Sequence, residues 1–191
     1  MKASVLYLIF FLATYLSTAQ YAINKSEEYT PHIGTMVNML DDMKSRVVRS
    51  VKDFNLKETD FLLDENSNRF GAMILHLAAT EMFYQQATFY NSELGEEVGK
   101  EWVVALNLGD EGREQLKGQP ISYYLKKWDE VRAKTKEVLK TKDDAWLFEK
   151  RDDWGNVDYN YYWAWYHVME HQANHLGQFI ILKKEMKKRL N

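Results

Sequence analysis

From Pro31 onward, apolar residues recur at three- and four-residue steps: Ile33, Met36, Val37, Leu40, Met43, Val47, Val51 and Phe54. That period predicts an amphipathic helix from about Pro31 to Lys52, with Thr30 as its cap and proline at its first position. A second helix, rich in Ala and Met, is predicted over 69–90, with Asn66, Ser67 and Asn68 as cap candidates. Gln119-Pro120 opens a third, whose stripe is Ile121, Tyr124, Leu125, Trp128, Val131, Val138 and Leu139. The fourth follows Gly155-Asn156-Val157-Asp158 and ends in Lys183, Lys184, Lys187, Lys188 and Arg189, cations that suit the negative end of a helix dipole. No period-two run of β-branched residues competes with these helices. The expected fold is therefore all-α, an up-and-down four-helix bundle with a long crossover, residues 91–119, between the second and third helices. The crossover carries seven acids against three bases and its own apolar piece, Trp102 to Leu106, which predicts a short helix over one end of the bundle.

The N-terminus reads differently. Met1-Lys2 precedes an apolar run from Val5 to Leu16 and small residues at Ser17 and Ala19, the pattern of a secretory signal peptide. The run is shorter than the ~20 residues a bilayer span needs. Residues 1–19 are thus expected to be cleaved, leaving 20–191 as a single exported domain with no stable membrane anchor. A net charge of −3 provides no basic field for nucleic acid. The chain has no Cys, which removes disulfides, thiolate ligands, cysteine nucleophiles and a lipid anchor through Cys. Any metal must be held by His, carboxylate or carbonyl groups.

Five histidines supply the candidate chemistry: His32, His76, His167, His171 and His175. The last three lie in HVMEHQANH on the fourth helix. With His171 as reference, His167 and His175 fall about 40° to either side, and Asn160 and Gln178 about 20° away, on one polar stripe. Imidazoles turned inward are costly without partners, and a metal ion is the partner that fits such a row. Positions four apart are separated by ~6 Å along the axis and positions eight apart by ~12 Å. One ion can therefore take His167 with His171, or His171 with His175. The third ligand must come from another helix, and His76 is the natural candidate, because its neighbours Ala72, Ala79 and Thr80 let a facing helix approach. His32 reads as a rim residue. Glu81 and Glu170 point away from the ligand directions and read as structural rather than as bases. Gln178, one turn beyond His175, is better placed to support a ligand.

Two stretches, ETDFLLDENSNRFGAMILHLAATEMFY and YYWAWYHVMEHQANHLGQFI, carry a resemblance to the DinB/YfiT-like family of metal-dependent enzymes. That family places a histidine mid-helix before small residues and an acid, and its last helix spaces histidines by four ahead of Gly-Gln. The similarity covers essentially the whole chain after residue 19. It implies a four-helix bundle holding one divalent ion on His76, His171 and His175, with His167 beside the ion on the same stripe. The family commonly has His directly before the last ligand and Arg directly after it, where this chain has Asn174 and Leu176.

An ion on three neutral imidazoles keeps its full charge and an open position. The expectation is a metal-dependent hydrolase or transferase of an unidentified small substrate, with no catalytic residue or organic cofactor assigned. Zinc is the first choice, and nickel, iron and manganese also accept imidazole. The resemblance extends to thiol-dependent transferases, whose cosubstrates are mainly cytoplasmic and fit export poorly. A homodimer is compatible with this reading. The alternative is a non-catalytic protein that binds metal, or a small hydrophobic ligand beneath the aromatic cluster Tyr159 to Tyr166.

Overall fold

The computed structural model describes residues 22–24, 26–92, 99–154 and 157–190. The expected signal segment, 1–19, lies outside them, and among the described residues no helix is long and apolar enough to cross a membrane. In chain order the elements are α1 (Pro31–Val51), α2 (Leu56–Thr59), α3 (Phe70–Phe89), α4 (Lys100–Asn107), α5 (Gly109–Gln115), α6 (Ile121–Leu139), α7 (Asp144–Leu147), β1 (Lys150–Trp154), β2 (Val157–Asn160) and α8 (Tyr161–Leu190). The protein is mostly helical, as its periodicity requires.

The four long helices pack in a ring, with α1 on α8, α8 on α3, α3 on α6 and α6 on α1. Side-chain pairings fix their directions. Phe70 stacks on Phe179, His76 meets His175, Tyr84 meets His167 and Phe89 stacks on Trp165, so α3 and α8 run oppositely. Gly71 lies against Tyr124, Glu81 against Trp128 and Gln85 against Thr135, so α3 and α6 run the same way. His32 is beside Tyr162, and the Ser50 carbonyl accepts from Lys183, so α1 and α8 are also parallel. Lys44–Asp129 and Asp41–Lys136 pair α1 and α6 antiparallel. The long second connection stands as expected, and it has a consequence for direction: the helices go up, down, down, up instead of strictly alternating, because parallel α3 and α6 need a crossover.

Helix α3 is sheathed by α2, α4, α6 and α8. Apolar residues therefore surround it, which explains why its sequence is rich in Ala and Met without a single stripe. Gly71 permits the closest approach: a Cβ there would overlap the Tyr124 ring. Among the described residues two apolar clusters result, one around Phe70, Leu75, Trp128 and Phe179, the other around Leu40, Tyr84, Trp165 and Leu147.

Between α3, α6 and α1 sits a buried polar network. Glu81 is fully buried; its Oε1 accepts from Arg132 Nε (2.7 Å) and Thr135 Oγ1 (2.6 Å), its Oε2 from Arg132 Nη2 (2.9 Å) and Trp128 Nε1 (3.0 Å). Arg132 also donates to Asp41 on α1 (3.0 Å). Burial alone would raise the Glu81 pKa, but the Arg132 charge and these hydrogen bonds hold it below the usual carboxylate range.

Two local expectations are corrected. Asn66-Ser67-Asn68 does not cap α3: Arg69 holds the N-cap position without a side-chain bond, and Ser67 closes a turn with Asp64. The second is a pair of short antiparallel strands, β1 and β2, before α8. Their residues, KRDDW and VDYN, lack β-branched alternation, so periodicity could not reveal them. At the start of α1, Thr30 occupies the cap position, but the capping acceptor is Asp144 from α7, which takes hydrogen bonds from the His32 and Ile33 amides.

Candidate metal centre

His76 projects from α3, and His171 and His175 from α8, at the level where these antiparallel helices meet. One ring nitrogen from each lies within 4.8 Å of the others. His76 and His171 approach most closely, with their Nε2 atoms 2.8 Å apart. The ring centroids of His175 lie 5.0 Å from His76 and 4.6 Å from His171. His171 and His175 are one turn apart on one face, the separation by which a helix offers two imidazoles to a single ion.

The crossover sets the tautomer of His76. Its Nδ1 donates to the Ala105 carbonyl on α4 at 3.0 Å, which leaves Nε2 as a lone pair facing α8. Burial lowers the His76 pKa, opposed by hydrogen bonds to Ala105 and Leu106. Burial, and then the charges of His175, His76 and His167, push His171 down to about 3. His175 is pushed down to about 4, by burial first and His76 second. Gln178, one turn further along α8, is exposed, and Nδ1 of His175 is buried without a hydrogen-bond partner. All three rings are thus neutral at physiological pH, as metal coordination requires. A proton between two nitrogens satisfies one pair; a cation engages all three imidazoles. The residues present fit a divalent ion of the kind that accepts imidazole.

The other predicted residues fall around this cluster. His167 is outside it, with its ring 6.4 Å from that of His171. It stacks on Trp163 at 5.4 Å and places Nδ1 3.3 Å from the Glu170 carboxylate. His32 is exposed at the rim against Phe148 and Tyr162. Asn174 is exposed, and Leu176 packs against the apolar core. Glu81 lies five positions beyond His76 but faces α6, with both oxygens engaged. The contribution that sequence reasoning missed is the Ala105 carbonyl. A backbone acceptor has no residue signature, and only the apolar run Trp102–Leu106 hinted that the crossover folds back onto the bundle.

A mostly helical fold with an imidazole triad between two facing helices is that of the DinB/YfiT-like proteins. A model of the mycothiol-S-transferase family, which is of this type, matches residues 35–187, and the chain belongs to that family. No curated protein matches it.

Proposed function

We propose that the protein is a metal-dependent transferase that joins a low-molecular-weight thiol to an electrophilic small molecule. The observation that carries this reading is the His76–His171–His175 cluster inside a chain of the mycothiol-S-transferase family. A divalent ion held there would supply the positive charge that keeps a thiol as its nucleophilic thiolate near neutral pH. His76, His171 and His175 would hold the ion as neutral donors, and the Ala105 carbonyl orients His76. His167, stacked on Trp163, walls the approach along α8. In the reaction a sulfur–carbon bond forms and the bond from that carbon to its leaving group breaks. The bond pair departs with the leaving group, and the thiol proton passes to solvent.

Hydrolysis is the less supported chemistry. It needs a base beside the attacking water. Glu81 is fully committed to Arg132, Trp128 and Thr135, and Glu170 pairs with His167. The apolar run before Ala19 supports export, and the cosubstrates of thiol-dependent transferases are mainly cytoplasmic, so the thiol proposed here is a different low-molecular-weight thiol, met outside the cytoplasm.

The test is conjugate formation by zinc-loaded protein, with mycothiol or N-acetylcysteine as thiol and monobromobimane as electrophile, followed by mass spectrometry. Wild type should accelerate conjugation and His171→Ala should not. Equal rates for the two would sink the proposal.

A further inference from the structure

We propose that Thr80 is a positioning residue whose hydroxyl donates a hydrogen bond to the sulfur of the thiol at the three-His centre. The inference rests on the transferase reading and deepens it. Thr80 lies one turn beyond His76 on α3, and Tyr84 one turn beyond Thr80. Each step rotates about 40°, so the three share a face. Both flanking residues meet α8, His76 at His171 and His175, Tyr84 at His167. Because α3 and α8 run oppositely, the register of these pairs puts Thr80 opposite the interval between His167 and His171, one turn from the three-His centre.

Its hydroxyl is the second observation. Thr80 is 7% exposed, and Oγ1 is buried with no hydrogen-bond partner. Helical threonines ordinarily bond the carbonyl one turn back. Thr35, Thr59 and Thr88 do so, at 2.9, 2.8 and 2.6 Å, while Thr135, 3.3 Å from its carbonyl, gives its proton chiefly to Glu81 at 2.6 Å. Among the helical threonines of the described residues, Thr80 alone has no hydrogen-bond acceptor. A buried hydroxyl is costly to leave unmade, and a group bound at the adjacent centre is the partner that would complete it. An anionic sulfur accepts such a bond strongly and is held in one orientation by it.

The experiment compares zinc-loaded wild type, Thr80→Val and Thr80→Ser by calorimetric titration with mycothiol and N-acetylcysteine, with N-acetylserine as the control lacking sulfur. Melting temperature is measured without thiol. Thr80→Val should keep its zinc, melt no lower than wild type and bind both thiols about tenfold more weakly, the worth of a hydrogen bond to a charged group. Thr80→Ser should bind within about twofold of wild type, since it keeps the donor. Unchanged thiol binding by Thr80→Val overturns the inference. So does a lower melting temperature or lost zinc, which would assign the hydroxyl to the fold, to a resident water or to the ion. If wild type itself binds neither thiol, the transferase reading falls and takes this inference with it; if wild type binds and Thr80→Val binds equally, only the role of Thr80 falls.

Discussion

Two polar centres lie five residues apart on α3, and they are finished in opposite ways. Around Glu81 every oxygen has a donor, supplied by Arg132, Trp128 and Thr135, and the group is sealed from water. Around His76 the rings crowd together, His175 keeps a nitrogen without a partner, and the hydroxyl of Thr80 is unanswered. The first centre is complete within the chain. The second leaves polar atoms that a bound group would complete. Buried polarity that satisfies itself specifies the fold, and buried polarity left open where three imidazoles converge is what a bound ion would complete.

The contrast can be broken most severely at the second centre. His76→Ala or His171→Ala should abolish stoichiometric zinc in the purified protein, measured by elemental analysis, while His32→Ala retains it. Equal metal in all three would remove the three-imidazole assignment. At the first centre, Glu81→Leu leaves the buried Nε and Nη2 of Arg132 without an acceptor, with Asp41 still on Nη1, and should lower unfolding free energy by about 3–5 kcal/mol, read from urea denaturation. The protein that remains folded should still bind zinc, because Glu81 faces α6. Loss of metal in that variant would join the two centres into one.

Acid separates them by degrees. Unfolded imidazoles take up protons near a pKa of about 6.5, whereas folded His171 and His175 stay neutral down to about 3 and about 4. Across that window the unfolded chain binds more protons, so the metal-free protein should lose stability as pH falls below about 6.5. Glu81 has the depressed carboxylate value, so its contribution is present above the unfolded value of about 4.5 and is lost as pH falls through the folded one. Urea midpoints at several pH values should fall in two stages, and His171→Phe should flatten the upper one. A pH-independent midpoint between about 7 and 5 would contradict the neutral triad. The smallest effect is expected from Gln178→Ala, about a tenfold loss in zinc affinity by competition with a chelator.

Much of this was legible in the sequence, for identifiable reasons. The helices of α1 and α6 follow from stripes such as Ile33–Met36–Leu40 and Tyr124–Trp128–Val131, because burying one face imposes a period. His171 and His175 were bracketed by pitch alone, which left two pairings; the resemblance to a family selected the one that the structure brings together. Pitch could not show Asp144 closing the N-terminus of α1, since that contact spans 112 positions and depends on how α7 returns. Nor could it show the hairpin of β1 and β2, whose residues are mostly charged or polar. Helix direction was hidden too. An even alternation is the simplest reading of four helices, and only pairings such as Gln85 with Thr135 show α3 and α6 running together.

That shared direction bears on how the centre comes into being. Joining α3 to a parallel neighbour requires a long connection, and closing a long loop costs more entropy than closing a tight turn, so such contacts form late in folding. Helix α4 belongs to this connection, and its Ala105 carbonyl lies 29 positions from the imidazole whose tautomer it fixes. Before α4 docks, His76 is free to carry its proton on either nitrogen. After it docks, one nitrogen is reserved for the facing helix. Tight capture of an ion at this centre would therefore wait for the crossover, and the rate of metal uptake by a refolding chain would be a clock for its last step of assembly.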